Sequence, residues 1–281
     1  MNKIIFKKKN LLDISGLIGV DMHIHTQYSG SLFSANQLLN AAKKKNIGLA
    51  ITDHNDIAGF LEIDITNKDV LLIPGIEVTA KEGPDILFYF NTVNDLVLFY
   101  EKYVKPYRGI KPQHRLSISL PILLKGGRKL NAFISIAHPY ISLSSDKNIE
   151  RYLNRTRFFE LLKLVDAIEI INSHLSRRAN LKAIELCQKY GKKMTGGSDA
   201  RSTTEVGRIL TYGVSKTPKD FLDYLRGNDT IIIGKENNFL NILLSHSQGI
   251  PKRFVYIYKN LQKKIKKINN GINNINIKIA P

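Results

Sequence analysis

The chain has 281 residues, 43% hydrophobic and 23% charged, enough to bury a real core as one large α/β domain or two smaller ones. Its longest apolar runs, such as "GLAI" and "DVLLIPGI", are far too short to span a bilayer. Asp13 interrupts the apolar stretch behind the basic N-terminus and no small-residue cleavage site follows, so the expectation is a cytoplasmic protein without a signal peptide. Forty-two Lys and Arg against 24 Asp and Glu leave +18, a field that attracts polyanions or anionic membrane surfaces; a compositional bias toward Lys, Asn and Ile competes as its explanation. The single Cys187 rules out an internal disulfide and sits in a helical pattern as a small buried hydrophobe.

"GVDMHIHTQYSGS" opens the informative part of the chain, at the end of a short apolar stretch. On a strand, alternation puts His23 and His25 on one face, either by coincidence or as two arms of a metal site. "SANQLLNAAKKKNIG" predicts a helix with Ser34 and Gln37 as a capping box, an apolar stripe of Leu38, Leu39 and Ala42, and Gly48 just beyond its end. "IGLAITDHND" reads as a buried strand running into a polar loop, "VLLIPGIEVTA" and "DILFYF" as two more strands. "NAFISIAHPY" is a strand ending at a His-Pro pair, where Pro139 biases His138 toward an extended backbone. A helical pattern, "RYLNRTRFFELLKLV", leads into the strand "AIEII". "RRANLKAIELCQKYG" is a helix stopped by Gly191, "KKMTGGSDA" a strand and loop, and "TPKDFLDYLRGN" a helix with Thr217 as N-cap and Pro218 at its first position. From Pro251 onward there are eight Lys and Arg and no acid, with Phe254, Ile257, Tyr258, Leu261, Ile265 and Ile268 on one helical face. The division expected is a body over 1–245, its motifs within 19–212, and a basic amphipathic helix and tail over 246–281. That helix either docks on the body or offers a surface to nucleic acid or anionic lipid.

His23, His25, Asp53, His54, His138 and Asp199 all follow apolar runs, at the predicted carboxyl ends of strands, and Glu77 lies at or near another. In layered βα folds that edge is where ligands bind. Imidazoles and carboxylates without thiolates suit Zn, Mn or Fe ions; the alternative for each residue is a buried, hydrogen-bonded polar group.

Taken in order, "DMHIHT", "ITDHND", "PGIEVT", "IAHPY" and "GGSDAR" resemble the polymerase-and-histidinol-phosphatase (PHP) superfamily of metal-dependent phosphoesterases, from about Asp21 to Gly207. The resemblance implies a distorted (β/α)7-type barrel with metals at its carboxyl rim. It also implies that His23, His25 and Asp199 bind one ion, that Glu77 bridges to a second ion held also by His138, and that Asp21 orients an imidazole rather than ligating. The implied chemistry is hydrolysis of a phosphate ester, a small phosphomonoester or an oligonucleotide end, by two divalent ions (Mn, Zn or Fe) sharing a hydroxide. Three positions depart from the family pattern. Gly30 replaces a ligand aspartate and Arg201 a ligand histidine of a third metal, leaving His54, so that a third ion is expected to be absent and Arg201 to grip a phosphate in its place. In "KEGPDILFYF", Asp85 stands nearest to where relatives carry a histidine for the second ion. His174 completes that ion, touches substrate, or is an exposed loop residue. Arg177 and Arg178, opening a helix near the rim, suit a substrate phosphate or simply solvate that helix end. The alternative to an enzyme is a weakly or non-catalytic PHP module that binds nucleic acid or a partner protein through its basic surface.

Overall fold

The structure, a computed structural model, describes residues 3–5, 14–64, 69–111, 114–141, 158–214 and 217–237. The chain divides into a unit ending at Asn237 and a second one from Asn238 to Pro281. The second unit lies outside the described residues, with the predicted basic helix and His246, as does the first half of "RYLNRTRFFELLKLV".

Among the described residues ten strands form one sheet: β1 (Lys3–Ile5), β2 (Ile18–Ile24), β3 (Gly48–Ile51), β4 (Leu72–Thr79), β5 (Asp85–Tyr89), β6 (Phe133–Ile136), β7 (Ala167–Asn172), β8 (Lys193–Gly197), β9 (Ile209–Gly213) and β10 (Ile231–Gly234). Their order is β1-β10-β9-β2-β3-β4-β5-β6-β7-β8. The helices are α1 (Ala35–Lys45), α2 (Ala58–Leu61), α3 (Val93–Phe99), α4 (Leu120–Lys129), α5 (Phe158–Leu162), α6 (Arg177–Lys189) and α7 (Pro218–Gly227). The sheet curls until its end meets its middle, making a nearly closed barrel. Beyond β8, Ala200 bridges Ile24 of β2, with His25 N–H donating to the Ala200 carbonyl (2.9 Å) and Ala200 N–H to that of His23 (3.3 Å).

The barrel departs from a plain βα alternation. β5 pairs antiparallel with both β4 and β6, and β9 antiparallel with both β2 and β10. The apolar residues split accordingly. On β5, Leu87 and Tyr89 join Val20, Met22, Ala50, Ile73, Phe133 and Ala167 in an inner cluster that Phe221, Leu222 and Leu225 of α7 also pack into. Ile86 and Phe88 face the other way, into the larger core beneath the remaining helices. The alternation of side chains along a strand produces these two layers.

Local signals place the helices. Ser34 caps α1 as expected: its hydroxyl accepts from Gln37 N–H (3.3 Å), and the Gln37 side chain accepts from Ser34 N–H (3.0 Å). Ser34→Ala is expected to cost about 1 kcal/mol, read as a lower urea midpoint at unchanged slope. The stop of α1 is Asn46 (φ +53) rather than Gly48, which is the first residue of β3; asparagine tolerates the left-handed conformation that ends a helix. Thr217 and Gly191 act as predicted, as N-cap of α7 and as a left-handed residue just beyond α6. Cys187 is buried on α6 and its thiol is pushed up to about 12 by burial, an inert packing residue. Among the described residues no helix is long and apolar enough to cross a membrane.

Candidate metal centre

His23 lies near the end of β2 and His25 directly after it, on the inner face, and both are fully buried. A shift of the β2–β3 register between Asp21 and Ile24 marks a bulge at His23, a device that re-aims a side chain. Each imidazole is oriented from behind. His23 Nδ1 donates to Glu169 Oε1 on β7 (3.0 Å). His25 Nδ1 lies 3.0 Å from the Ser29 hydroxyl, whose own proton goes to Asp53, so Nδ1 is the donor. Asp53 also accepts from Thr26 N–H (2.7 Å) and the Thr26 hydroxyl (2.6 Å), tying down the loop behind β2. With Nδ1 engaged on both rings, the two Nε2 atoms point at each other, 3.2 Å apart.

Carboxylates close on the same point. Glu77, sixth residue of β4, sets Oε2 at 3.4 Å from His23 Nε2, 3.3 Å from His25 Nε2 and 2.8 Å from His54 Nδ1. Its other oxygen meets His138 Nε2 at 2.9 Å. Asp199 Oδ1 lies 3.1 Å from His25 Nε2 and 4.0 Å from His23 Nε2. Glu77 Oε2 and Asp199 Oδ1 are buried carboxylate oxygens without a hydrogen bond, an expensive state unless a cation shares them. Asp85 reaches the cluster through the antiparallel turn of β5: its position, opposite Thr79, puts the start of β5 at the carboxyl ends of its neighbours. Its carboxylate accepts from the Thr79 hydroxyl (2.5 Å). Three sets of donor atoms lie within 4.8 Å of one another: His23, His25 and Glu77; His23, His138 and Asp199; and Glu77, Asp85 and His138.

The backbone is strained where two side chains of the cluster are aimed. His138 (φ +25) and Asp199 (φ +52) are left-handed without being glycine. For His138 this corrects the expectation that Pro139 holds it extended: Glu169 Oε2 accepts from His138 N–H (2.9 Å) and the His138 carbonyl from Ile141 N–H (3.0 Å), which fix the turn against proline's preference.

Electrostatics follow from these neighbours. Burial alone lowers an imidazole, but Glu169, Glu77 and Asp199 hold His23 well above its ordinary range, whereas burial with Arg201 and His54 keeps His25 well below it. Despite burial, His54 and His23 hold Glu77, and His23 and His174 hold Asp199, well below the usual carboxylate range. Asp21 is pushed up to about 6 by burial; it accepts from Ser198 N–H (2.9 Å) and hydroxyl (2.5 Å) and from Gly207 N–H (2.7 Å), fixing the loop that carries Asp199 behind β2.

The remaining predicted residues divide. Arg201 enters the cluster, its Nη2 3.5 Å from His54 Nε2 and 3.6 Å from Asp199 Oδ1. His174 is buried rather than exposed, with Nε2 3.2 Å from Glu205 and Nδ1 3.8 Å from Asp199 Oδ2. Arg177 is forked on Glu236 (2.6 Å twice), a partner that the helix-end reading did not foresee, and Arg178 is exposed in the first turn of α6. Glu169, Ser29, Asn172 and Glu205 were missed. Asn172 donates to Glu169 (3.1 Å) and Asp199 (3.4 Å), and Glu205 gathers Arg201 N–H, the Ser202 hydroxyl and Asn237 at 3.0 Å each. For Glu169 a signal existed: an acid in the middle of an apolar strand.

Residues 177–230 match the family model described as PHP-associated. An uncharacterized protein of Methanocaldococcus jannaschii is 28% identical over 232 residues, 79% of this chain and 84% of that protein. A two-domain protein from Bacteroides vulgatus, described as containing a predicted PHP-like metal-dependent phosphoesterase, superposes with a TM-score of 0.56 at 18% identity, covering 85% of this chain and 72% of its own. The lesion-specific endonuclease Q of Pyrococcus furiosus does so with 0.59 at 19% identity, covering 77% and 57%. The chain shares the fold of these PHP-like proteins. Within the PHP fold, the cluster at the barrel rim is where the motifs of the sequence converge.

Proposed function

We propose that this chain is a metal-dependent hydrolase of phosphate esters, with His23, His25 and Asp199 holding one divalent ion, His138 and Asp85 a second, and Glu77 spanning both. The observation that supports it best is Glu77 itself, one buried carboxylate with Oε2 among three imidazoles and Oε1 on a fourth. Two divalent ions bound there supply Lewis acidity toward a phosphoryl oxygen and lower the pKa of water. The protein's own part is orientation: Glu169 and Ser29 fix the two imidazoles, Asp21 the loop of Asp199, and Asn172 the far oxygen of that carboxylate. The ester P–O bond breaks as the water oxygen joins phosphorus, and the proton passes to the leaving alcohol. Two ions rather than three fit this chain, because Gly30 offers no donor, its φ of +100 disfavours an aspartate, and Arg201 already sets a positive charge beside His54. The substrate is a phosphorylated small molecule or a nucleic acid. In support of the second, another endonuclease Q structure holds a 27-mer duplex with an abasic lesion at its active site (TM-score 0.58, 19% identity, 84% of this chain and 68% of that one).

The test is elemental analysis of protein purified without chelator, beside Asp199→Asn, with phosphate release followed on a panel of phosphoesters. About two equivalents of metal, falling in the variant together with hydrolysis, is the expected result. A chain that takes up neither Mn²⁺ nor Zn²⁺ overturns the reading.

A further inference from the structure

Arg201 is a permanently positive side chain of the cluster to which the hydrolytic reading gives no contact with substrate. It lies two residues beyond Asp199 and is pinned on both sides of its backbone: its N–H donates to Glu205 Oε2 (3.0 Å) and its carbonyl accepts from the Ser31 hydroxyl (2.8 Å). The guanidinium is held as well, with Nη1 donating to the Ser29 carbonyl (2.9 Å). What remains is the other edge of the fork. Nη2 stands 3.5 Å from His54 Nε2 and 3.6 Å from Asp199 Oδ1, both long contacts, and Nε is buried and makes no hydrogen bond. A buried N–H of a fixed cation is costly to leave unmade. Arg177 shows in the same molecule what the Nε and Nη2 edge does when an anion is present, since it grips both oxygens of Glu236 at 2.6 Å. Arg201 and His54, with side chains 13% and 10% accessible, are more open than His23, His25 and Glu77, which are sealed at 0%. An anion entering from solvent therefore meets Arg201 and His54 before the deeper ligands.

The number of oxygens separates two classes of ester. A terminal phosphate presents three non-bridging oxygens and carries close to two negative charges; an internal phosphodiester presents two and carries one. Two ions occupy two non-bridging oxygens at most without sharing, so a planar fork beside them is matched by the third oxygen of a terminal group. We propose that Arg201 is the specificity-determining residue of this centre and selects a terminal, dianionic phosphate monoester over an internal diester, binding one phosphoryl oxygen on its Nε and Nη2 edge. The proposal rests on the hydrolytic reading and narrows its substrate class.

The experiment uses the full chain loaded with Mn²⁺, in wild-type, Arg201→Met and Arg201→Lys forms. Inorganic phosphate binding is measured by calorimetry, and kcat/KM is compared for p-nitrophenyl phosphate and bis(p-nitrophenyl) phosphate. Expected are a preference of the wild type for the monoester, and a loss in Arg201→Met of about 10- to 100-fold in both phosphate affinity and the monoester-to-diester ratio at unchanged metal content. Arg201→Lys keeps the charge without the fork and falls between; it decides the matter if the methionine variant does not fold. A chain that takes up no metal overturns this proposal together with the hydrolytic reading. A metal-loaded, active chain that prefers the diester, or whose ratio and phosphate affinity do not respond to either substitution, overturns this proposal alone.

Discussion

Glu77→Gln is expected to lower phosphoester hydrolysis about 10³-fold or more and to remove the stabilisation that added Mn²⁺ or Zn²⁺ confers on the folded chain. The substitution keeps the volume of the side chain and replaces one oxygen by an NH2 group. Whichever way the amide turns, one of two arrangements is lost. An NH2 at the Oε2 position donates where His23 Nε2, His25 Nε2 and His54 Nδ1 converge, and expels a cation from among them; an NH2 at the Oε1 position faces His138 Nε2. A neutral oxygen in the remaining place is also a poor ligand between two cations. The thermal readout separates this from simple damage to the fold. Metal binding to the native state raises the melting temperature by mass action, so titrating the wild type with Mn²⁺ is expected to move Tm upward, and titrating Glu77→Gln to move it little. An upward shift of equal size in both proteins removes Glu77 from the centre.

The rim of the barrel was legible because a strand that ends in a buried polar cluster has to switch from apolar to polar residues at its end, and that switch is visible in "DMHIHT", "ITDHND" and "GGSDAR". Capping chemistry was legible at Ser34 and Thr217 for the same reason: a local hydrogen bond needs a particular residue at a particular spacing. Direction was not. The period of a strand is the same whichever way it runs, so "DILFYF" gave no sign that β5 is antiparallel and that Asp85, at its start, sits level with Thr79 on β4. Nor does alternation tell the inside of a barrel from solvent. Glu169 in "AIEII" has the pattern of an outward-facing acid, yet it is 1% accessible and holds both the His23 ring and the His138 backbone. Glu205 lies in the loop "RSTTEVG", whose polar composition gives no hint that its carboxylate gathers His174, Asn237 and the Arg201–Ser202 stretch. Side chains that orient other side chains obey tertiary geometry, and a single sequence records them weakly.

Gly197→Ala is expected to be among the most destabilising small substitutions in the chain, and to act at the candidate metal centre itself. Gly197 is the last residue of β8, where the sheet curls back on β2. A methyl group built there lies against His23 Cβ, 2.6 Å from His23 N and 3.1 Å from His23 Cα. These are backbone and near-backbone atoms on a paired strand, and no rotamer change relieves the contact. Either the seam between β8 and β2 opens or His23 moves. Overpacking of this kind costs about 3 kcal/mol, which for a body of this size lowers Tm by roughly 6–12 °C. The more telling effect is on the clustered donor side chains. His23 Nε2 is placed by the bulge on β2 and by Glu169 on β7, while Asp199 is placed by the turn that follows Gly197, so a shift across the seam separates donors from two sides at once. Metal uptake in Gly197→Ala is therefore expected to weaken together with stability, although no ligand is altered. Gly191→Ala is the control: it lies on the same strand approach with no neighbour within 4 Å of an added methyl, and its cost comes from its φ of +59 alone, so it is expected to lower Tm while leaving metal content unchanged. If both variants lose stability and both keep their metal, the seam does not hold the centre together, and the closeness of β8 to His23 serves only to close the barrel.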